Sequence, residues 1–308
     1  MKHLITGGAG FIGSHLANIL LKKEEKVYCL DNFYTGDLKN IEQFKNNANF
    51  ELINQNVEKP IKLIVDKIWH LACPGSPDFH QNHPLETSTS NAIGTFNMLN
   101  LAKEIKAEFL LTSTSEIYGN STVHPQNENY NGSVNCNGIR SCYSEGKRFA
   151  ESLTFNFSRI YKIKVHVARI FNTYGPGMKI NDGRVISNFI CQALQNKPIN
   201  IYGGGDNTRS FCYIEDLVNG LTKLMNSNYF GAINLGNNEE ISILDLAGLI
   251  SKKINKKVRI NHENPRKEDI KFRKPDLSLA KKELNWEPKV NLENGIQHTI
   301  NYFQKILN

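Results

Sequence analysis

Gly7-Gly8-Ala9-Gly10-Phe11-Ile12-Gly13 is the stretch on which the reading of this 308-residue chain turns. It satisfies both G-x-G-x-x-G and G-x-x-G-x-x-G. An apolar run at residues 2–6 precedes it and predicts a strand. Apolar residues at three- and four-residue steps over 11–23 follow it and predict a helix. A glycine cluster at such a junction allows a tight turn, close approach of backbone to a pyrophosphate, and close packing of helix on strand. The helix start then offers free N–H groups and a positive dipole end to phosphate.

Outward from this point the alternation continues. Residues 27–30, 50–53, 67–71, 109–113 and 165–170 read as strands, and 84–105 and 142–161 as helices. That order predicts an α/β fold, a Rossmann-type doubly wound parallel sheet. Past Gly175 the texture changes to frequent Gly and Asn turns, with helices expected at 185–194, 215–225, 243–254 and 292–305. We read residues 1–175, with later segments from roughly 208–236, as a nucleotide-binding domain. Residues 176–308 are then mostly a smaller α/β lobe over the sheet's C-terminal edge, where open α/β sheets bind ligands. The stretch 262–275 is charged rather than flexible.

Asp31 ends the second expected strand, the place of an acid that accepts from both hydroxyls of an adenosine ribose. It would repel a 2′-phosphate, and no Arg follows it, so the cofactor expected is NAD rather than NADP. Tyr143 and Lys147 stand four residues apart on one helical face. A lone tyrosine, with a pKa of about 10, is a poor base. A nearby ammonium favours the phenolate, which suits the pair to take a hydroxyl proton as hydride leaves. The cluster Thr112-Ser113-Thr114-Ser115-Glu116 closes the strand before that helix.

Composition narrows the classes. Hydrophobic residues are 40% and charged residues 22%, which excludes a disordered chain. The net charge is +7, but the basic stretches 252–257 and 266–274 are broken by Asn, Glu and Asp, and no nucleic-acid-binding motif is present. The six cysteines form no CxxC pair and no Cys/His ligand set, so free thiols and no metal are expected. No apolar run is long enough to cross a bilayer, and Met1-Lys2-His3-Leu4-Ile5-Thr6 lacks a leader pattern; a cytoplasmic protein is expected.

The chain resembles the extended short-chain dehydrogenase/reductase family, and within it is similar to the UDP-glucuronate decarboxylase (UDP-xylose synthase) branch. The resemblance runs over nearly the whole length: residues 6–16, Asp31-Asn32 with Thr35-Gly36, His70-Leu71-Ala72-Cys73-Pro74-Gly75-Ser76-Pro77, 113–119, 140–148, Arg169-Ile170-Phe171-Asn172-Thr173-Tyr174-Gly175-Pro176-Gly177, 182–190, 208–217 and 273–276. It implies cofactor contacts from Gly7, Gly10, Phe11, Ile12, Gly13, Asp31, Asn32, Thr35, Gly36, Asn56, Val57, Leu71, Ala72, Thr112, Tyr143 and Lys147. It implies catalytic work by Thr114, Ser115, Glu116, Tyr143, Lys147 and Arg209, and substrate binding by Asn172, Arg184, Tyr202, Arg209 and Arg273. Guanidinium forks suit the diphosphate, and Tyr202 is expected near the uracil.

Thr114-Ser115-Glu116 is the discriminating triplet. Related 4,6-dehydratases carry Thr-Asp-Glu, with the Asp expelling the sugar 6-hydroxyl. Ser115 cannot act so, and a carboxylate in its place would face the carboxylate of a glucuronate at a cost. The expected reaction is oxidation at C4, loss of CO₂ and re-reduction, giving UDP-xylose. A 4,6-dehydratase, a 4-epimerase, a decarboxylase that releases the 4-keto pentose, and an inactive NAD-binding scaffold are the alternatives. Departures from the family pattern are Thr89, where a Lys is common, Asn56, where an acid is common, and Ser144, where an Asp is common. The family also implies a homodimer through a four-helix bundle built from residues 84–105 and 142–161.

Overall fold

The computed structural model describes residues 1–180, 182–265 and 270–307. The charged stretch 262–275 and the basic run 266–274 therefore fall partly outside the described residues.

The first half runs β1 (Lys2–Thr6), α1 (Phe11–Lys22), β2 (Lys26–Asp31), β3 (Phe50–Asn54), β4 (Lys67–His70), α2 (Pro77–Asn82), α3 (Pro84–Thr89), α4 (Thr95–Ile105), β5 (Glu108–Thr114), α5 (Ser141–Tyr161) and β6 (Val165–Ile170). The second half adds β7 (Thr173–Tyr174), α6 (Val185–Leu194), β8 (Ile199–Tyr202), β9 (Thr208–Ser210), β10 (Cys212–Tyr213), α7 (Ile214–Met225), β11 (Ala232–Leu235), β12 (Glu240–Ser242), α8 (Ile243–Ile254), β13 (Ile260–Glu263), β14 (Phe272–Arg273), α9 (Ser278–Leu284) and α10 (Leu292–Leu307).

Seven strands form one sheet in the order β11-β6-β5-β4-β1-β2-β3. Every neighbouring pair is parallel, as the strand–helix alternation leads one to expect. A parallel sheet needs both faces covered, and the burial pattern shows how. Leu16 and Leu20 of α1 and Leu217, Val218 and Leu221 of α7 pack on one face. Met98, Leu99 and Ala102 of α4 and Ala150 and Phe157 of α5 pack on the other. Each of these Leu, Val, Met and Phe side chains contributes roughly 1.5–3 kcal/mol when fully buried.

The strand order reverses between β1 and β4, which opens a crevice at their C-terminal ends. The second lobe closes over it with short sheets: β13 beside β8, the three strands β12-β9-β14, and the pair β10-β7. Its helices α6, α8 and α10 join the core that lies beneath α1 and α7.

Two local features escape the periodicity. The helix expected over 84–105 is α3 and α4 joined by a π-helical turn at Ser90–Gly94. Gly94 lies so close to Val57 that an added Cβ would sit 2.7 Å from its Cγ1. α2 is only six residues long, too short for an apolar repeat to mark it.

Candidate active site

β1 delivers the chain to Gly7 at φ +71°, a left-handed turn that favours glycine. A Cβ on Gly13 would lie 2.3 Å from the Gly7 carbonyl, so only glycine permits this helix to start so close to the strand. α1 begins after Gly10 with no side-chain cap. Its first N–H groups are the natural seat for a pyrophosphate.

Asp31 is buried at the end of β2. Its Oδ2 accepts from the Ala9 N–H and its Oδ1 from the Phe33 N–H, each at 2.9 Å. Burial pushes its pKa up, against the pull of those donors. Gly36 closes over it; an added Cβ would stand 2.7 Å from Oδ1. Thr6 steadies the opposite wall, where its Oγ1 accepts from the Leu71 and Ala72 N–H groups at 3.2 Å.

Lys147 is buried in α5 and donates to the Thr112 carbonyl at 2.8 Å. Burial lowers its pKa. One helical turn earlier, Tyr143 lies beside the Thr114 side chain, which favours its ionised form. Burial raises the Tyr143 pKa above its ordinary value, with the Cys73 and Glu116 charges adding to it and Thr114 and Arg184 working the other way.

Thr114 caps a single 3₁₀ turn, Ser115–Tyr118, by accepting from the Glu116 N–H at 3.2 Å. Ser115 is buried within it. Glu116 pairs with Arg140 and, at 3.5 Å, with Arg273 Nη1. Burial opposes its charge, but the two guanidinium groups hold its pKa below the usual carboxylate value. Arg273 in turn is pushed down to about 10 by burial, with Arg209 and Arg140 adding to the effect. Arg184 pairs with Asp182 and lies over the Phe11 ring at 5.5 Å, linking the second lobe to the start of α1.

A single cleft of about 920 Å³ brings these groups together. Its walls include every residue expected from sequence to hold cofactor, to act in catalysis or to bind substrate, from Gly7 and Asp31 to Tyr202, Arg209 and Arg273. Tyr202 is half-exposed at the mouth. Arg209 donates through Nη1 to the Thr208 carbonyl at 2.8 Å. Among the departures, Thr89 donates to Glu58 Oε1 at 2.8 Å, Asn56 Oδ1 accepts from the Glu58 N–H at 2.9 Å, and Ser144 returns its hydroxyl to the Arg140 carbonyl at 3.1 Å.

Two residues were not singled out in the sequence. Arg140 was hidden in a matched run whose obvious members were Tyr143 and Lys147. His80 sits on the unpredicted α2. Among the described residues no group of three or more His, Cys, Asp or Glu side chains could hold a metal, and no helix is long and apolar enough to cross a membrane.

This geometry has relatives. A family model described as GDP-mannose 4,6 dehydratase matches residues 4–299. UDP-glucuronic acid decarboxylase 1 of Xenopus tropicalis is 50% identical over 304 residues, 99% of this chain and 72% of that protein. UDP-glucuronic acid decarboxylase 3 of Arabidopsis thaliana is 49% identical over 297 residues, 96% of this chain and 87% of that one. The chain belongs to the UDP-glucuronic acid decarboxylase family. That family is a branch of the extended short-chain dehydrogenase/reductases, and solved members of the wider group share the fold. The UDP-glucose 4-epimerase of Thermotoga maritima superposes with a TM-score of 0.91 at 28% identity, covering 100% of both chains. The UDP-glucuronic acid 4-epimerase of Bacillus cereus, solved with UDP-glucuronic acid and NAD, gives 0.90 at 29% identity, covering 99% of this chain and 100% of its own.

Proposed function

We propose that the protein decarboxylates UDP-glucuronate to UDP-xylose, using NAD as a recycled cofactor. The observation that carries this reading is the triplet at the end of β5 and in the turn after it: Thr114 beside Tyr143, a neutral Ser115 in the turn, and Glu116 held between two arginines.

The cradle fits NAD. Gly7, Gly10 and Gly13 leave room for a pyrophosphate at the start of α1, and Asp31 keeps acceptor capacity for a ribose diol beside Gly36. NAD supplies the acceptor for a hydride from sugar C4 and later the donor that returns it. Tyr143 takes the C4 hydroxyl proton, with Thr114 sharing its hydrogen bond and Lys147 fixing the helix that carries it. The resulting 4-keto uronic acid is a β-keto acid, whose C5–C6 electron pair passes into the carbonyl as CO₂ leaves. Tyr143 and Thr114 hold the enolate oxygen, as an oxyanion hole does. Glu116 with Arg273 and Arg209 handles the substrate carboxylate and the proton that reaches C5. Asn172, Arg184 and Tyr202 bind the nucleotide and sugar from the second lobe, so residues 1–175 with part of 208–236 serve the cofactor and 176–308 mostly the substrate.

We also infer a homodimer. Leu85, Ile93 and Phe96 on the α3–α4 limb and Phe149 and Ile160 on α5 are exposed large apolar side chains on two neighbouring helices. A second copy would cover them as a four-helix bundle. Six free cysteines suit a reducing, cytoplasmic setting.

Comparing UDP-glucuronate with UDP-glucose tests the substrate. CO₂ released from the first, with no turnover of the second, supports the decarboxylase; dehydration of UDP-glucose would point to the other branch.

A further inference from the structure

α2 presents its His80 ring to the ring of Tyr143. The centroids are 4.9 Å apart and the planes 3° from parallel. His80 has no exposed surface, and both its ring nitrogens are buried without a hydrogen-bond partner. It is not among the residues that wall the cleft. Its backbone is fixed instead: the His80 N–H donates to the Ser76 carbonyl at 3.0 Å, and the Cys142 thiol donates to the His80 carbonyl at 3.3 Å. The residue before the base therefore grips the residue that stacks on the base.

An orphaned buried polar nitrogen is costly, and this ring carries two. A histidine that makes no hydrogen bond contributes its flat face and its volume. Burial keeps it neutral, with a pKa of about 4, so the stack persists unchanged at neutral pH. A tyrosine side chain has two rotatable bonds, and an interaction at its hydroxyl end leaves the plane of the ring unset. The parallel His80 face behind the ring sets it.

We propose that His80 is a positioning residue for the oxidation step, setting the plane of Tyr143 so that its hydroxyl meets the sugar C4 hydroxyl. This rests on Tyr143 being the base. A misaimed base lowers the rate of proton removal while leaving the binding of both ligands alone.

The test compares His80→Phe with His80→Leu. Both remove the nitrogens and keep similar volume, and only phenylalanine keeps a flat face. NADH absorbance after rapid mixing of the NAD-loaded enzyme with UDP-glucuronate reads the oxidation step; calorimetry with NAD reads folding and cofactor binding. The expected result is that His80→Phe oxidises within about threefold of the parent, while His80→Leu falls at least tenfold with KM and the NAD Kd unchanged. Should His80→Phe not bind NAD, His80→Tyr supplies the flat ring. Equal rates in the planar and non-planar variants, whether both high or both low, would overturn the proposal. No oxidation by the parent enzyme would instead sink the reading of Tyr143 as base.

Discussion

Lys147 reaches from the second turn of α5 to the carbonyl of Thr112, 2.8 Å away, and so ties the helix that carries Tyr143 to the strand that carries Thr114. The bond costs the lysine most of its freedom and leaves its charge buried. Lys147→Met keeps the length and removes the donor. Turnover should fall by about 10²–10³, within the range usual for a proton-transfer group. Steady-state CO₂ release checks it; a loss below threefold would remove Lys147 from the machinery.

Tyr143→Phe deletes the hydroxyl and keeps the ring on which His80 stacks. Fold and NAD affinity should hold while turnover drops by about 10³ or more. Calorimetry and rapid-mix NADH formation read the two sides, and near-normal oxidation would rule out the base.

Ser115→Asp places a second carboxylate one residue from Glu116, in a buried turn. A glucuronate would then meet like charge at close range. The expected outcome is UDP-glucuronate affinity weakened at least tenfold in calorimetry, with NAD affinity kept; equal affinity for the substrate would count against the role given to a neutral residue here.

His70 is fully buried between Thr6 Oγ1 at 2.8 Å and Thr95 Oγ1 at 3.1 Å. Burial, with the Lys147 charge, pushes its pKa down to about 3 from an ordinary 6.5. The unfolded chain therefore binds a proton that the folded chain refuses. Stability from this group is fully present above pH 6.5 and is lost as pH falls toward 3, with a slope of up to about 1.4 kcal/mol per pH unit. His3, His80 and His166 act in the same direction. Thermal midpoints should drop steadily from pH 7 to 5, less so in His70→Gln; a flat profile would mean the imidazole is not held neutral.

Phe96→Asp combined with Phe149→Asp should turn the proposed dimer into a monomer in light scattering, since two charges cannot be buried unpaired at an apolar seam. An unchanged mass would place the contact elsewhere, or show the parent to be monomeric.

The sheet was legible because its signals are local. A glycine cluster between a strand and a helix, Asp31 at the end of the next strand, and apolar runs of five or six residues each depend on a few neighbours. Residues 165–170, 185–194 and 243–254 read the same in sequence and structure. α2 was not legible, because six residues carry less than two turns of periodicity. His80 stayed hidden with it, since its partner Tyr143 lies 63 residues on and only the fold brings the rings together. Arg140 was passed over for the same reason: its pairing with Glu116 spans 24 residues and leaves no trace in spacing. The π-helical turn at Ser90–Gly94 has no counterpart in the sequence pattern.

Incubation with UDP-glucuronate carrying ¹³C at C6, with NAD and NMR of the products, tests the central claim most directly. The account predicts labelled CO₂, UDP-xylose in equal amount, and no accumulating NADH. Label kept in a UDP-galacturonate would contradict it and make the protein an epimerase, while a released 4-keto pentose with stoichiometric NADH would contradict the return of the hydride.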